Sequence, residues 1–119
     1  MHQNTLGQKG EDLAAELFLK KGYLIIGRNV FSRFGEIDII AEKEGEIIFC
    51  EVKTRMGARN SFGSPEEAIT PWKQQRFLKT ALWYLDTYNI PDLVPWRCDV
   101  ITILVGNGRA RITHYPSAF

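Results

Sequence analysis

Asp38 and Glu51 are separated by twelve residues, and Lys53 follows Glu51 at the second position. The stretch around them, Gly35 to Arg55, reads as two runs rich in β-branched residues joined by a charged turn that contains Gly45. That pattern predicts a β-hairpin. With Glu44-Gly45 as a two-residue turn, Lys43 faces Glu46, and counting outward along both strands brings Asp38 opposite Glu51. A four-residue loop keeps that pairing. A three-residue loop would turn one carboxylate to the other face, because side chains alternate with period two. Opposed residues hold their Cβ atoms about 4.5–5.5 Å apart. Lys53 and Glu36 share the face, each two positions from one of the acids. Two facing carboxylates repel unless something positive lies between them. Lys53 alone would make a plain salt-bridged strand pair. A divalent cation held by Asp38 and Glu51 is the other solution, since hard cations take carboxylate oxygens.

The elements that must position this hairpin follow in order. From about Gln8 to Lys21 the residues Leu13, Ala14, Leu17 and Phe18 fall on one helical face. Glu11, Ala14 and Phe18 are spaced so that Glu11 borders that face. A first-turn acid favoured by the helix dipole is the plain reading of Glu11. Gly7 and Gly10 predict a ragged helix start or a place where a ligand nears the backbone. Tyr23 to Val30 reads as a first strand, and Phe31 to Phe34 as a turn into the hairpin. In the hairpin's second strand both faces begin apolar, so that strand is expected to be central and covered on both sides. Its polar end, Glu51 to Arg55, is then where an open α/β sheet would carry a site.

Met56 to Gly63 reads as a polar loop, with Ser64-Pro65-Glu66-Glu67 as a helix start. Thr70-Pro71 restarts the helix, whose apolar face includes Phe77, Ala81, Tyr84, Leu85 and Tyr88. Lys73 and Arg76 lie near its beginning, on a solvated face or turned toward the site. Trp96 to Val105 and Arg109 to Tyr115 read as two further strands joined across Asn107-Gly108, a strong hairpin signal. Asp99, between apolar neighbours, is expected in a salt bridge or hydrogen bond. His114 is expected on the surface of an edge strand, without a role. The order α-β-β-β-α-β-β predicts an α/β fold: a mixed central sheet flanked by helices.

Composition bounds the rest. The chain of 119 residues, 45% of them hydrophobic and including three tryptophans, is expected to form one packed domain over residues 1–119. No apolar run reaches the ~20 residues needed to span a bilayer. The start, Met1 to Thr5, has no basic and apolar signal character, so a cytoplasmic protein is expected. Cys50 and Cys98 sit in apolar runs and read as reduced core residues. A net charge of +1 is no nucleic-acid footprint by itself. A local basic patch would have to come from Arg28, Arg33, Arg55, Arg59, Lys73 and Arg76.

Asp, then twelve residues, then Glu-x-Lys resembles the core of the PD-(D/E)XK nuclease superfamily, with the restriction-endonuclease-like fold. The whole chain resembles the YraN-like family of small bacterial proteins. The matching pieces are Gly7, Gly10-Glu11, Ala14-Ala15, Gly22-Tyr23, Arg28-Asn29, Gly35-Glu36-Ile37-Asp38, Glu51-Val52-Lys53-Thr54-Arg55, Lys73 and Arg97-Cys98-Asp99-Val100, in that order over nearly the whole length. Ile37 stands where the superfamily's name has proline, a position that varies widely among such nucleases.

The resemblance implies a metal-dependent nuclease. Asp38 and Glu51 would bind Mg²⁺ or Mn²⁺, with Glu11 as a further ligand and the Val52 carbonyl oxygen as a contributor. The metal would polarise a phosphodiester oxygen and activate water. Lys53, whose pKa two neighbouring carboxylates should raise, would orient the attacking water. Arg55 and Lys73 would hold backbone phosphates. The implied partner is nucleic acid, DNA before RNA, with branched DNA suggested by a site layout similar to archaeal Holliday-junction resolvases. A homodimer and a protein partner are both compatible with this, and the Arg109–Tyr115 strand is one candidate dimer edge. Three readings stay open: a metal-dependent endonuclease, a nucleic-acid-binding module acting through a protein partner, and a scaffold in which Asp38, Glu51 and Lys53 simply pair.

Overall fold

The structure, a computed structural model, describes residues 5–57 and 69–119. The order of elements is α1 (Leu6–Lys20), β1 (Leu24–Ser32), β2 (Gly35–Lys43), β3 (Glu46–Met56), α2 (Pro71–Thr87), β4 (Trp96–Gly106) and β5 (Arg109–Tyr115). This is the expected α-β-β-β-α-β-β sequence. The five strands form one sheet in the order β1-β2-β3-β4-β5. Only β3 and β4 run parallel, with α2 between them in the chain; the other pairings are antiparallel. The sheet is therefore mixed, and β3 is central.

Both faces of β3 are buried, as its two apolar faces require. Ile48 and Cys50 pack with Ala14 and Phe18 of α1. Ile47 and Phe49 pack with Phe77 and Ala81 of α2. Two tight turns set the registers. Glu44 and Gly45 both have positive φ, as do Asn107 and Gly108, which is what two-residue hairpin turns demand. Lys43 accordingly pairs with Glu46, and Gly106 with Arg109. The β5 strand lies at one sheet edge, as expected, and β1 at the other. The two cysteines are free and buried. Among the described residues no helix is long and apolar enough to cross a membrane.

Four local expectations need correction. Helix α1 starts cleanly rather than raggedly. Thr5 and Gln8 form a reciprocal capping box, so the helix begins before Gly7 and carries both glycines inside it. The first strand runs on to Ser32, and the turn shrinks to Arg33-Phe34, because Ser32 pairs with Gly35 and its hydroxyl accepts the Phe34 N–H. His114 is not on the surface: its side chain is 6% exposed. Its Nε2 lies 2.7 Å from Asp99 Oδ2 and its Nδ1 2.9 Å from Lys21 Nζ. Asp99, fully buried, also accepts from Arg97 Nε at 2.9 Å and from the Ser117 N–H at 3.0 Å. Arg97 extends the network to Glu46 and the Tyr23 hydroxyl. The polar loop expected from Met56 begins later, because Met56 ends β3 and the Gly57 N–H still donates to the Val105 carbonyl oxygen; the rest of that loop, Arg59 and the helix-start signal at Ser64–Glu67 lie outside the described residues.

Gly10 has a steric role. It is buried on α1 where the helix meets β3, and a Cβ there would collide with Thr54 Oγ1. The close approach is thus to the protein's own strand. Gly10→Ala should destabilise the fold by about 1–3 kcal/mol through overpacking, although alanine is the better helix former by about 1 kcal/mol. Urea unfolding of Gly10→Ala beside Gly10→Ala/Thr54→Ala checks this. The second substitution removes the nearest clashing atom and should recover part of the loss.

Candidate functional site

The β2–β3 ladder runs from Lys43 and Glu46 to Ile39 and Cys50, where the assigned pairing stops. The next opposed residues are Asp38 and Glu51, as the turn dictates. There the strand's regularity breaks. Ile37 packs with the α2 cluster, although two-residue alternation from Ile39 would place it on the α1 side. Asn29, opposite Asp38 on β1, has φ +50°. In place of a ladder bond, Asp38 Oδ2 accepts the Val52 N–H at 2.8 Å. Glu51 in turn hydrogen-bonds to Asp38 through its side chain.

Two adjacent acids, largely withdrawn from water, cannot both stay ionised cheaply. Burial raises the Asp38 pKa to about 6; the Val52 N–H opposes the rise, and the charges of Glu11 and Glu36 add to it. Burial, then the Asp38 charge, raises the Glu51 pKa to about 8; Lys53 and Lys73 pull the other way. The two titrate as a pair, and the raised values belong to the pair as a whole.

Glu11 comes close enough to raise the Asp38 pKa, yet its own carboxylate is occupied. It lies 3.8 Å from Arg28 Nη2 and hydrogen-bonds to Asn29. Burial is the main reason its pKa is raised. Arg28 is held in addition by Asp12 at 2.7 Å, so it serves this acidic corner and not a basic patch. Among the described residues, no three carboxylates, imidazoles or thiolates converge closely enough to ligate one ion. Asp38 and Glu51 alone are the donor pair. That set suits Mg²⁺ or Mn²⁺ chemistry, since Mg²⁺ commonly takes one or two carboxylates and keeps waters and substrate oxygens elsewhere. The strained pair is also what a cation would relieve.

The cations approach from β3 and α2. Lys53 lies beside Glu51, and Lys73 beside both. The expectation that Lys53 would have a raised pKa is overturned. Its pKa is lowered, first by burial and then by the charge of Lys73, with Arg55 adding to it; Glu51 opposes but does not prevail. The sequence showed the acids and Arg55 on neighbouring positions but not that the fold would bring Lys73 against Lys53 as well. Lys73 reaches the site because Thr70 caps α2 and Pro71 opens it, which sets the first turn against the end of β3. A cleft of about 290 Å³ results, lined by Glu36 and Glu51 on one side and Trp72, Lys73 and Arg76 on the other. The sequence reading passed over Trp72. The available signal was a tryptophan off the buried stripe of Phe77, Ala81 and Tyr84, next to Lys73.

The sign of the pair's effect on stability is set by its raised pKa values. Below about pH 3, under the ordinary values of 3.8 and 4.5, both acids are protonated in the folded and unfolded chain, and no penalty exists. As pH rises toward about 8, the unfolded chain releases these protons first, so folding stability falls. In chelator, Glu51→Gln should therefore melt no higher than wild type at pH 3 but at least about 4 °C higher at pH 8, a step worth about 1 kcal/mol in a domain of this size. Thermal melts of both proteins across that range measure the difference.

Comparison with known proteins agrees with the ordered motifs. The model of the family described as Uncharacterised protein family UPF0102 matches residues 10–103. A UPF0102 protein of Syntrophomonas wolfei is 47% identical over 115 residues, covering 96% of each chain. One from Symbiobacterium thermophilum is 44% identical, covering 96% of this chain and 95% of its own. One from Syntrophotalea carbinolica is 41% identical, covering 97% and 91%. With matches of that length and identity, the chain belongs to the UPF0102 family, the YraN-like group.

Proposed function

We propose that this protein is a metal-dependent endonuclease that hydrolyses phosphodiester bonds of DNA, including branched or otherwise structured DNA. The observation that carries the reading is the partly buried, hydrogen-bonded Asp38–Glu51 pair, of which Glu51 lines a cleft together with Lys73 and Arg76. A structural pair would gain by being replaced with an ordinary hydrogen-bonded couple. Carboxylates perturbed by burial and by each other, beside cations in a cleft, are what a functional site presents.

Asp38 and Glu51 would hold Mg²⁺ or Mn²⁺. When bound, the ion supplies positive charge against the negative charge that builds on the phosphate oxygens. Asp38 is positioned by the Val52 N–H, so its carboxylate has one orientation. Glu11, restrained by Arg28 and Asn29, acts behind Asp38 by charge, or through water. Lys53 orients the attacking water. Lys73 and Arg55 hold the backbone phosphates on either side, where their contacts would be lost as salt rises.

One observation favours a second reading, a nucleic-acid-binding module that works through a protein partner: Glu11 is engaged by Arg28 and Asn29 and does not close a three-acid set. If two copies act together, the edge strands β1 and β5 are where sheets could join.

Cleavage of labelled single strands, duplexes, flaps, four-way junctions and RNA, with Mg²⁺, Mn²⁺ or chelator, tests the proposal. Cutting should require metal, vanish in Asp38→Asn and fall about 100-fold or more in Lys53→Ala, the scale of losing one charge-stabilising group. Metal-dependent stabilisation in wild type, absent in Glu51→Gln, without cutting of any substrate would favour the binding module. Neither cutting nor metal-dependent stabilisation would leave the scaffold reading.

A further inference from the structure

Trp72 is 63% exposed on the first turn of α2, although a side chain of its size is normally buried. It lines the same cleft as Glu51. The Arg76 guanidinium lies 4.7 Å from its ring centroid. Arg76 is itself anchored, because its Nε donates to the Phe34 carbonyl oxygen at 2.6 Å. The ring is therefore backed by a fixed cation while most of the residue remains open. Trp72, Arg76 and Lys79 follow one another at helical spacing along a single face of α2. Phe34 meets that face from the β1–β2 turn, with Arg33 at 4.8 Å and Lys79 at 5.9 Å from its ring. Aromatic rings and cations alternate along this line, which starts beside Lys73 at the acidic pair.

We infer that Trp72 is a stacking platform for an unpaired nucleobase next to the phosphodiester bond at Asp38 and Glu51, and that it selects single-stranded segments over continuous duplex. The inference rests on the reading of that pair as the place where a nucleic-acid backbone docks. The cations of the stripe match a polyanion, which argues for nucleic acid and against an apolar peptide as the occupant. The exposed ring then discriminates within nucleic acids. Every base offers a flat face, but in a duplex those faces are stacked on their neighbours and closed to a side chain. A base that is unpaired, or splayed from a junction or flap, has its face free. Arg76 behind the ring adds a cation–π contact that keeps the indole in place. Lys73, next in sequence, is positioned for the adjoining phosphate. The cleft thus joins a stacking surface to a phosphate-binding surface.

The test is binding in chelator, where metal-dependent cutting cannot consume the probe, with a short mixed-sequence DNA oligonucleotide and the duplex of the same sequence. Trp72→Ala should weaken single-strand binding by about 5- to 150-fold, the range for losing one base–aromatic stack, and change duplex binding less than about twofold by the same argument. Trp72→Phe should restore most of the affinity, while Trp72→Leu, apolar but not aromatic, should not. The oligonucleotide should also quench tryptophan emission in wild type, and that quenching should be lost in Trp72→Phe, which leaves Trp83 and Trp96 in place. Equal loss for both probes, or no loss for either, overturns the inference. So does quenching that survives in Trp72→Phe. Metal-dependent cutting that is indifferent to Trp72→Ala on single strands and flaps would sink the stacking role while leaving the nuclease standing. Trp72-dependent single-strand binding without any cutting would do the reverse. No binding of any nucleic acid overturns both.

Discussion

The constraint on which the site depends is the placing of two acids side by side where a β-ladder runs out. Beyond Ile39 and Cys50 the next pair on β2 and β3 is Asp38 and Glu51, and the Val52 N–H goes to the Asp38 carboxylate. The chain thereby exchanges a regular strand bond for an oriented acid. This costs stability at neutral pH, because part of the charge must be held out of water. The offset comes from the rest of β3. Ile48, Phe49 and Cys50 are completely buried, between the helices on its two faces. Each large side chain of that kind contributes roughly 1.5–3 kcal/mol. A strand anchored so firmly at its middle can carry an unfavourable end.

Asp99 shows that it is the company of an acid, not its burial alone, that decides. It is fully buried, more so than Asp38 or Glu51, yet its pKa is lowered. Burial pushes it up, but His114, Arg97 and the Ser117 N–H together more than reverse this. Asp38 has one backbone donor, and Glu51 has Asp38 as its close neighbour. One fold thus keeps a saturated acid on β4, opposite Cys50, and an under-compensated pair that begins at the next position of β3. The first knits α1, β1, β4 and β5 together through Lys21, Tyr23, Arg97 and His114. The second is left wanting a positive partner.

Much of this was legible in the sequence because local rules set it. The Glu44-Gly45 and Asn107-Gly108 turns dictate registers, and one register brings Asp38 to Glu51. The two apolar faces of β3 imply a central strand. Thr70-Pro71 marks the start of α2. What could not be read depends on contacts between elements distant in the chain. His114 looked like a surface residue because nothing near it in sequence shows that Asp99, 15 positions back, would face it across the β4–β5 pairing. Gly10 looked like a break in a helix because Thr54 lies on another element. The Arg28 and Asn29 side chains look like ordinary strand residues until α1 brings Glu11 to them.

Lys53 is the most instructive of these cases, since the sequence argument about it was physically sound and still had the wrong sign. It counted the carboxylates on the hairpin and concluded that the ammonium would be stabilised. The crossover helix changes the sum. Its first turn delivers Lys73 to the end of β3, where partial burial and the second positive charge both work against the Lys53 ammonium. The same placement brings Lys73 to Glu51, and Trp72 and Arg76 to the opposite wall of the cleft. The docking of α2 by its capped N-terminus therefore shapes the cleft, supplies its positive wall and adds Lys73 to the charges that act on Lys53. The hairpin provides the acids, but the helix decides what charge they meet.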